Sequence, residues 1–146
     1  LALGCDIVLA ARPASFIEAF CRLGLVPDAG GTYILPRLAG TARAMGLAML
    51  GDKLSAEQAA DWGLIWKVVD DDRLMDEAAK LAQHLATQPT RGLALIKRAI
   101  YASPNNSLER QLALEAELQR EAGRSADYRE GVAAFMAKRA PKFTGR

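Results

Sequence analysis

Residues 24–40 run Gly24-Leu25-Val26-Pro27-Asp28-Ala29-Gly30-Gly31-Thr32-Tyr33-Ile34-Leu35-Pro36-Arg37-Leu38-Ala39-Gly40, and the reading of the whole chain turns on them. They set one carboxylate, Asp28, in a Pro-Asp-x-Gly-Gly turn directly ahead of an apolar helical segment. Pro27 restricts the backbone entering the turn, while Gly30 and Gly31 allow a sharp bend and close approach to a ligand. An acid held in such a turn faces a pocket, or it caps the helix expected to begin near Thr32, since Asp is a favoured N-cap. The turn alone leaves both readings open.

Bulk properties narrow the setting. A chain of 146 residues is long enough for one buried core. With 51% hydrophobic and 25% charged residues, the composition is that of an ordinary globular domain. A net charge of +2 with both signs interspersed leaves no footprint for nucleic acid. The apolar stretches are too short and too interrupted to span a bilayer. Cys5 and Cys21 imply no disulfide framework and are expected to be small buried hydrophobes in a reducing cytoplasm. The one histidine, His84, lies far along a helical segment, which argues against a cysteine–histidine nucleophile, and no metal site is expected.

Outward from the turn, residues 5–11 are almost wholly apolar and bounded by Gly4 and Pro13, the pattern of a buried strand. Residues 14–20 form a second strand candidate, in which Glu18 is expected as a solvated strand residue, with a working acid near the turn as its alternative role; residues 64–69 are a third, or the extended run into the acidic turn at 70–72. Helices are expected over 32–38 and 41–50, the latter ended by Gly51. A short helix follows Ser55, with Gln58 completing a capping box. From 72 onward the pattern is helical, over 72–88, 91–102, 107–124 and 126–139. The first is expected to carry Leu74, Ala78, Leu81 and Leu85 on one stripe; the second Leu93, Ile96, Lys97 and Ile100 on or beside a stripe; the third Leu108, Leu112, Leu114 and Leu118 facing inward; and the last Val132, Phe135 and Met136. Trp62 and Trp66 flank a glycine and suggest packing. Leu1-Ala-Leu-Gly4 has the pattern of a last helical turn closed by glycine, so the chain is expected to be the later part of a longer subunit.

Four pieces in order carry a resemblance: Gly4-Cys-Asp-Ile-Val-Leu-Ala-Ala11, the Asp28 turn, Leu50-Gly-Asp-Lys-Leu-Ser-Ala-Glu-Gln-Ala-Ala-Asp-Trp-Gly-Leu-Ile65, and Asp127-Tyr-Arg-Glu-Gly-Val-Ala-Ala-Phe-Met-Ala-Lys-Arg-Ala-Pro-Lys-Phe143. Together they resemble the crotonase superfamily, the enoyl-CoA hydratases and isomerases, over essentially the whole chain. The runs at 85–93 and 119–128 are similar to the ring-epoxide isomerases of phenylacetate catabolism within it. The resemblance implies an α/β fold: the C-terminal half of a crotonase (ClpP/crotonase-like) ββα spiral over 1–70, then a helical region for trimerisation over 71–146.

It also implies an activity. The expected reaction is isomerisation of ring-epoxide phenylacetyl-CoA to its oxepin form by proton shuttling next to an enolate. Enoyl-CoA hydration or double-bond shifting, and an inactive fragment that only self-associates, are the alternatives. Asp28 matches the position where several isomerases of the superfamily keep a working acid. The second carboxylate position of the family falls on Phe20, which can do no proton chemistry. Phe20, Pro27, Gly30, Gly31 and Tyr33 match substrate-pocket positions, although Phe16, Ile17, Phe20, Leu25 and Tyr33 also suit a core. Lys138, Lys142 and Phe143 match the coenzyme A side of the C-terminal helix, where ammonium groups meet phosphate and a ring meets adenine. Arg139 lies among them, and a solvated helix end is the competing reading. The family's oxyanion-holding N–H groups fall before residue 1. No cofactor is implied beyond the coenzyme A of the acyl-CoA thioester substrate. The expected assembly is a trimer or hexamer in the cytoplasm, with neither nucleic acid nor membrane as partner.

Overall fold

Leu9–Ala11 (β1) runs parallel to a strand far along the chain, Lys67–Val69 (β4), pairing Leu9 with Lys67, Ala10 with Val68 and Ala11 with Val69. Parallel neighbours require a long crossover, and helices fill most of this one. In the computed structural model, which describes residues 1–146, the chain divides into two units, Leu1–Ala79 and Lys80–Arg146.

In the first unit, Ser15–Phe16 (β2) pairs antiparallel with Leu54–Ser55 (β3). Between them lie Gly31–Ala39 (α1) and Thr41–Leu50 (α2), and after β3 comes Ala56–Asp61 (α3). Helix α2 has the expected bounds because its stop is chemical: Gly51 takes φ +65° and returns its N–H to the Leu47 carbonyl. The capping box of α3 is also present, Gln58 N–H donating to Ser55 Oγ at 3.2 Å and Ser55 N–H to Gln58 Oε1 at 3.2 Å. The core gathers Ala10, Leu35, Leu47, Leu54, Leu64 and Ile65 around Ala56 and Ala59, both fully buried. Small residues at α3 let it sit close against its neighbours. Arg12 ties this unit's edges, reaching Glu57 at 3.1 Å and Asp70 at 3.0 Å.

Several expectations change. The chain over 14–20 is a strand only at 15–16; residues Ala19–Leu23 form a 3-10 turn closed by Gly24 at φ +69°. A short, mostly apolar run does not separate a strand from a tight helical turn. Strands β1 and β4 are shorter than the apolar runs that contain them. Cys5 is exposed rather than buried, as is Trp66 at 73%, whereas Trp62 is half-buried with the Arg43 guanidinium 5.1 Å from its ring centre.

Leu74–Ala86 (α4) carries the boundary between the units, with Leu74, Ala78, Leu81 and Leu85 its partly covered apolar stripe. The second unit continues with Thr90–Ala102 (α5), Leu108–Gly123 (α6) and Ala126–Met136 (α7). Ion pairs Arg91–Glu121 at 3.1 Å and Arg98–Glu117 at 3.6 Å set α5 antiparallel to α6. Ser107 and Ser125 cap α6 and α7 through their hydroxyls. Helix α7 ends at Met136, three residues early, because Lys138 enters the left-handed region at φ +50°. Of the expected inward residues here, Leu118 is buried and Leu93 and Leu114 are half-buried. Ile96, Ile100, Leu108, Leu112, Val132, Phe135 and Met136 are exposed in this chain.

Candidate active site

Asp28 opens a four-residue turn closed by the Gly31 N–H, which donates to the Asp28 carbonyl at 2.8 Å. Both central residues have positive φ, Ala29 at +48° and Gly30 at +83°. That is the sense of a type I′ turn, which favours Gly or Asn at both places. Gly30 adopts it freely; Ala29 does not, and a non-glycine residue held there stores strain of about 1–3 kcal/mol. Such strain, next to an acid, marks a position the surrounding structure imposes.

Asp28 does not cap α1. The cap residue is Gly30, no side chain accepts there, and the Asp28 side chain is exposed ahead of the first helical turn. The carboxylate therefore remains free of a structural duty while standing where the partial positive charge of a helix N-terminus favours an anion. Pro27 packs beneath, its Cβ only 3.1 Å from where a side chain on Gly31 would begin, so a side chain there would press on Pro27.

Phe20 lies on the neighbouring 3-10 turn, half-buried, its carbonyl accepting from Leu25 N–H at 3.0 Å. Tyr33 is on α1 and half exposed, not core; the Arg37 guanidinium stacks 3.4 Å from its ring centre while Nη1 donates to the Tyr33 carbonyl at 2.9 Å. One face of the ring is thereby covered by a cation. Ile17 and Leu25 are likewise exposed, and Phe16 packs on the core. Pro27, Asp28, Gly30 and Gly31 thus lie in or beside one turn, Tyr33 on the helix that follows it and Phe20 on the 3-10 turn that precedes it.

Glu18 is the residue the pattern undervalued. It sits at the junction of β2 and the 3-10 turn, with φ −108° and ψ 73°, and is half-buried. Burial pushes its carboxyl above the ordinary range, and the negative charge of Asp28 adds to it. No periodicity could have shown this, because the shift comes chiefly from burial, which depends on tertiary packing.

The second unit holds Lys138, Lys142 and Phe143. Arg139 is committed to Glu130 by a bidentate pair, Nη1–Oε1 at 2.6 Å and Nη2–Oε2 at 2.9 Å, and the Lys142 N–H adds a bond to Oε1 at 2.8 Å. Glu130 is accordingly held down to about 2, first by Arg139 and then by the Lys142 N–H. Phe143 is half-buried with its ring against Gly131. Lys138 remains exposed, at the residue where α7 stops. Beside them Asp127, buried, accepts from Thr144 N–H at 2.7 Å and Gly145 N–H at 2.8 Å, folding the last residues back over the start of α7.

No group of His, Cys, Asp or Glu side chains is arranged to hold a metal ion, and no helix is long and apolar enough to cross a membrane.

The 1,2-epoxyphenylacetyl-CoA isomerase of Escherichia coli (strain K12) is 66% identical over 146 residues, covering 100% of this chain and 56% of that protein. A Rhodobacter capsulatus protein named "Probable enoyl-CoA hydratase" is 53% identical over 146 residues, 100% of this chain and 57% of its own length. Among solved structures, an enoyl-CoA hydratase from Polaromonas sp. JS666 superposes with a TM-score of 0.94 at 36% identity, covering 98% of this chain and 56% of that one. The chain spans a little over half the length of these relatives, and its strands and helices are a partial crotonase fold. A family model described as "Enoyl-CoA hydratase/isomerase" matches residues 1–146, and the chain belongs to that family.

Proposed function

We propose that this chain carries the proton-transfer side of an acyl-CoA isomerase, one that converts ring-epoxide phenylacetyl-CoA to its oxepin form. The observation that carries the reading is the strained Asp28–Gly31 turn, which holds an exposed carboxylate free of any capping role. The 66% identity to a relative named for that epoxide supports the choice of substrate. In this reading Asp28 takes a proton from the substrate and returns it elsewhere. The charge that develops on the thioester oxygen needs backbone N–H donors, which the resemblance places ahead of residue 1. Coenzyme A enters as part of the substrate, its phosphates met by Lys138 and Lys142 with Phe143 near the adenine. The polypeptide works in the cytoplasm as a trimer or hexamer; the exposed Ile96, Ile100, Leu112 and Phe135 support association, since exposed apolar side chains are covered when a partner packs on them.

Hydration of an enoyl-CoA is the second reading, favoured by the 53% identical relative named for it. Adding water needs a base for the water and an acid for the neighbouring carbon, and Phe20 offers neither. Incubating the polypeptide from its complete reading frame with crotonyl-CoA and with the ring epoxide, and following products by mass, decides between them. Conversion of the epoxide is expected. Fast hydration of crotonyl-CoA with the epoxide untouched would overturn the isomerase reading.

A further inference from the structure

Two carboxylates on α7, Asp127 and Glu130, stand one helical turn apart and so share a face of the helix. Both are bonded to the last residues of the chain. Glu130 takes the Arg139 guanidinium on its two oxygens, at 2.6 Å and 2.9 Å, and the Lys142 N–H on Oε1 at 2.8 Å. Asp127 takes the Thr144 N–H at 2.7 Å and the Gly145 N–H at 2.8 Å. Lys142 and Phe143 are therefore pinned between two anchors. The Phe143 ring lies on Gly131, its Cε1 3.6 Å from where a Cβ on that glycine would stand. Further on, a Cβ on Gly145 would come within 2.5 Å of Thr90 Oγ1, so the segment ends against the start of α5. Pro141, with its fixed φ, stiffens the loop from Arg139 to Lys142. Lys142 is exposed and gives Glu130 its backbone N–H rather than its ammonium. Exposed ion pairs add little to stability, so what the Glu130 pair fixes is the path of the tail.

We propose that Glu130 is a positioning residue for the coenzyme A end of the substrate: it fixes the backbone at Lys142, so that the ammonium meets a phosphate without first having to be ordered. The inference rests on the reading above, in which Lys142 meets coenzyme A phosphate, and adds the residue that aims it. A loose tail would lose its freedom at the moment of binding, which weakens affinity by up to about tenfold for each long side chain ordered. A tail already closed onto α7 has lost that freedom beforehand. One carboxylate does the closing, because its two donors come from opposite ends of the loop, Arg139 by its side chain and Lys142 by its backbone. The Arg139 guanidinium occupies both Glu130 oxygens, which leaves the Lys142 ammonium for an anion from outside. Glu130 does not touch the ligand in this arrangement. It acts through Lys142, and its effect is absent for a thioester that carries no phosphate.

The test compares phenylacetyl-CoA with phenylacetyl-pantetheine, the same thioester without phosphates or nucleotide. Their Kd values are measured by calorimetry on the polypeptide expressed from its complete reading frame. Lys142→Gln is expected to raise the Kd of phenylacetyl-CoA about tenfold, and Glu130→Ala to raise it about 3- to 10-fold. Neither change should alter the Kd of the pantetheine thioester. Glu130→Gln keeps an acceptor for the Lys142 N–H and is expected to fall between Glu130→Ala and the unaltered protein. In the Lys142→Gln background, Glu130→Ala should add less than about twofold, since residues on one path are not additive. A Kd for phenylacetyl-CoA within about twofold of the unaltered value in Glu130→Ala, with Lys142→Gln weakened, overturns the positioning role and leaves the reading of Lys142 standing. Equal weakening of both thioesters in Glu130→Ala, or full additivity with Lys142→Gln, also overturns it, in favour of a merely structural role. Unchanged binding of phenylacetyl-CoA in Lys142→Gln would instead sink the placing of Lys142 at the phosphates, and the inference with it.

Discussion

The Gly31 N–H donates to the Asp28 carbonyl at 2.8 Å, and it does so across two residues with positive φ. The bond runs through the backbone of Asp28, so the direction of the turn does not depend on the Asp28 side chain. Helix α1 draws no side-chain cap from it either. Chemistry at this carboxyl is therefore separable from folding, a separation that N-capping acids do not allow.

Asp28→Asn is expected to lower kcat by about 10²–10⁴-fold, the usual contribution of a positioned general acid or base, in the polypeptide from its complete reading frame. KM and the melting temperature should change little, since the amide keeps the shape and no hydrogen bond to the side chain is lost. Steady-state kinetics with the ring epoxide, alongside a thermal melt, checks both. Retention of most of kcat would remove Asp28 from the chemistry.

Ala29 gives a prediction about stability. At φ +48° an L-residue carries a penalty of about 1–2 kcal/mol, and a β-branched residue carries more because its second Cγ crowds the backbone. Ala29→Val is expected to destabilise by a further ~1–2 kcal/mol. Ala29→Gly should fall within about 1 kcal/mol of the original, relief of strain being offset by the greater freedom of the unfolded chain. Urea unfolding of the two variants measures the difference; a valine variant as stable as the glycine one would show that the left-handed conformation is not imposed.

How much of this was legible from residues depends on where each signal lives. Helix α2 and the α3 capping box are local devices, a glycine after an apolar run and a Ser-x-x-Gln spacing, and both appear where the sequence places them. The 3-10 turn at Ala19–Leu23 was illegible because its short apolar run, Ala19-Phe20-Cys21, suits a strand as well as a helical turn. The exposed faces of α5 to α7, with Ile96, Leu112 and Phe135 outward, answer to whatever covers them, and periodicity reports only that a face is apolar. At the site, the Pro-Asp-Ala-Gly-Gly turn announced itself by composition. The approach of Glu18 to Gly31 depends on tertiary contact between residues thirteen apart, and no spacing rule encodes it. The Arg37–Tyr33 stack, in contrast, follows the i, i+4 rule and was there to be found.

Asp127 is expected to hold the end of the chain. Its carboxylate is buried and accepts from the N–H groups of Thr144 and Gly145, while its own N–H donates to the Arg146 carbonyl at 2.9 Å. Asp127→Ala strands two backbone donors, at a cost of about 1–3 kcal/mol if they stay buried. The cheaper response is release of the tail into water. Amide exchange at 144 and 145 is expected to rise at least tenfold, which corresponds to ~1.4 kcal/mol, with the exchange of α5 and α6 unchanged. Unaltered protection of these two amides would mean that other contacts hold the tail.

Glu130 supplies the pH dependence. The Arg139 guanidinium and the Lys142 N–H hold its carboxyl at about 2 in the folded chain, against an ordinary 4.5. A carboxyl depressed by folding binds fewer protons folded than unfolded between those values, so its contribution is fully present above about 4.5 and fades as the pH falls towards 2. The tail from 139 to 142 should accordingly stay clamped at pH 5 and loosen only in strong acid. The pair is solvent-exposed, so its worth to overall stability is small, and the effect is best read at the site. Following the Glu130 side-chain carbonyl carbon by NMR, the midpoint is expected near 2 in the unaltered chain. In Arg139→Gln the larger cause is removed while the Lys142 N–H remains, so the midpoint should rise part of the way towards 4.5. A midpoint at the ordinary carboxyl value in the unaltered chain would show that the bidentate pair does not persist in solution, and the clamp on the tail would then rest on Asp127 alone.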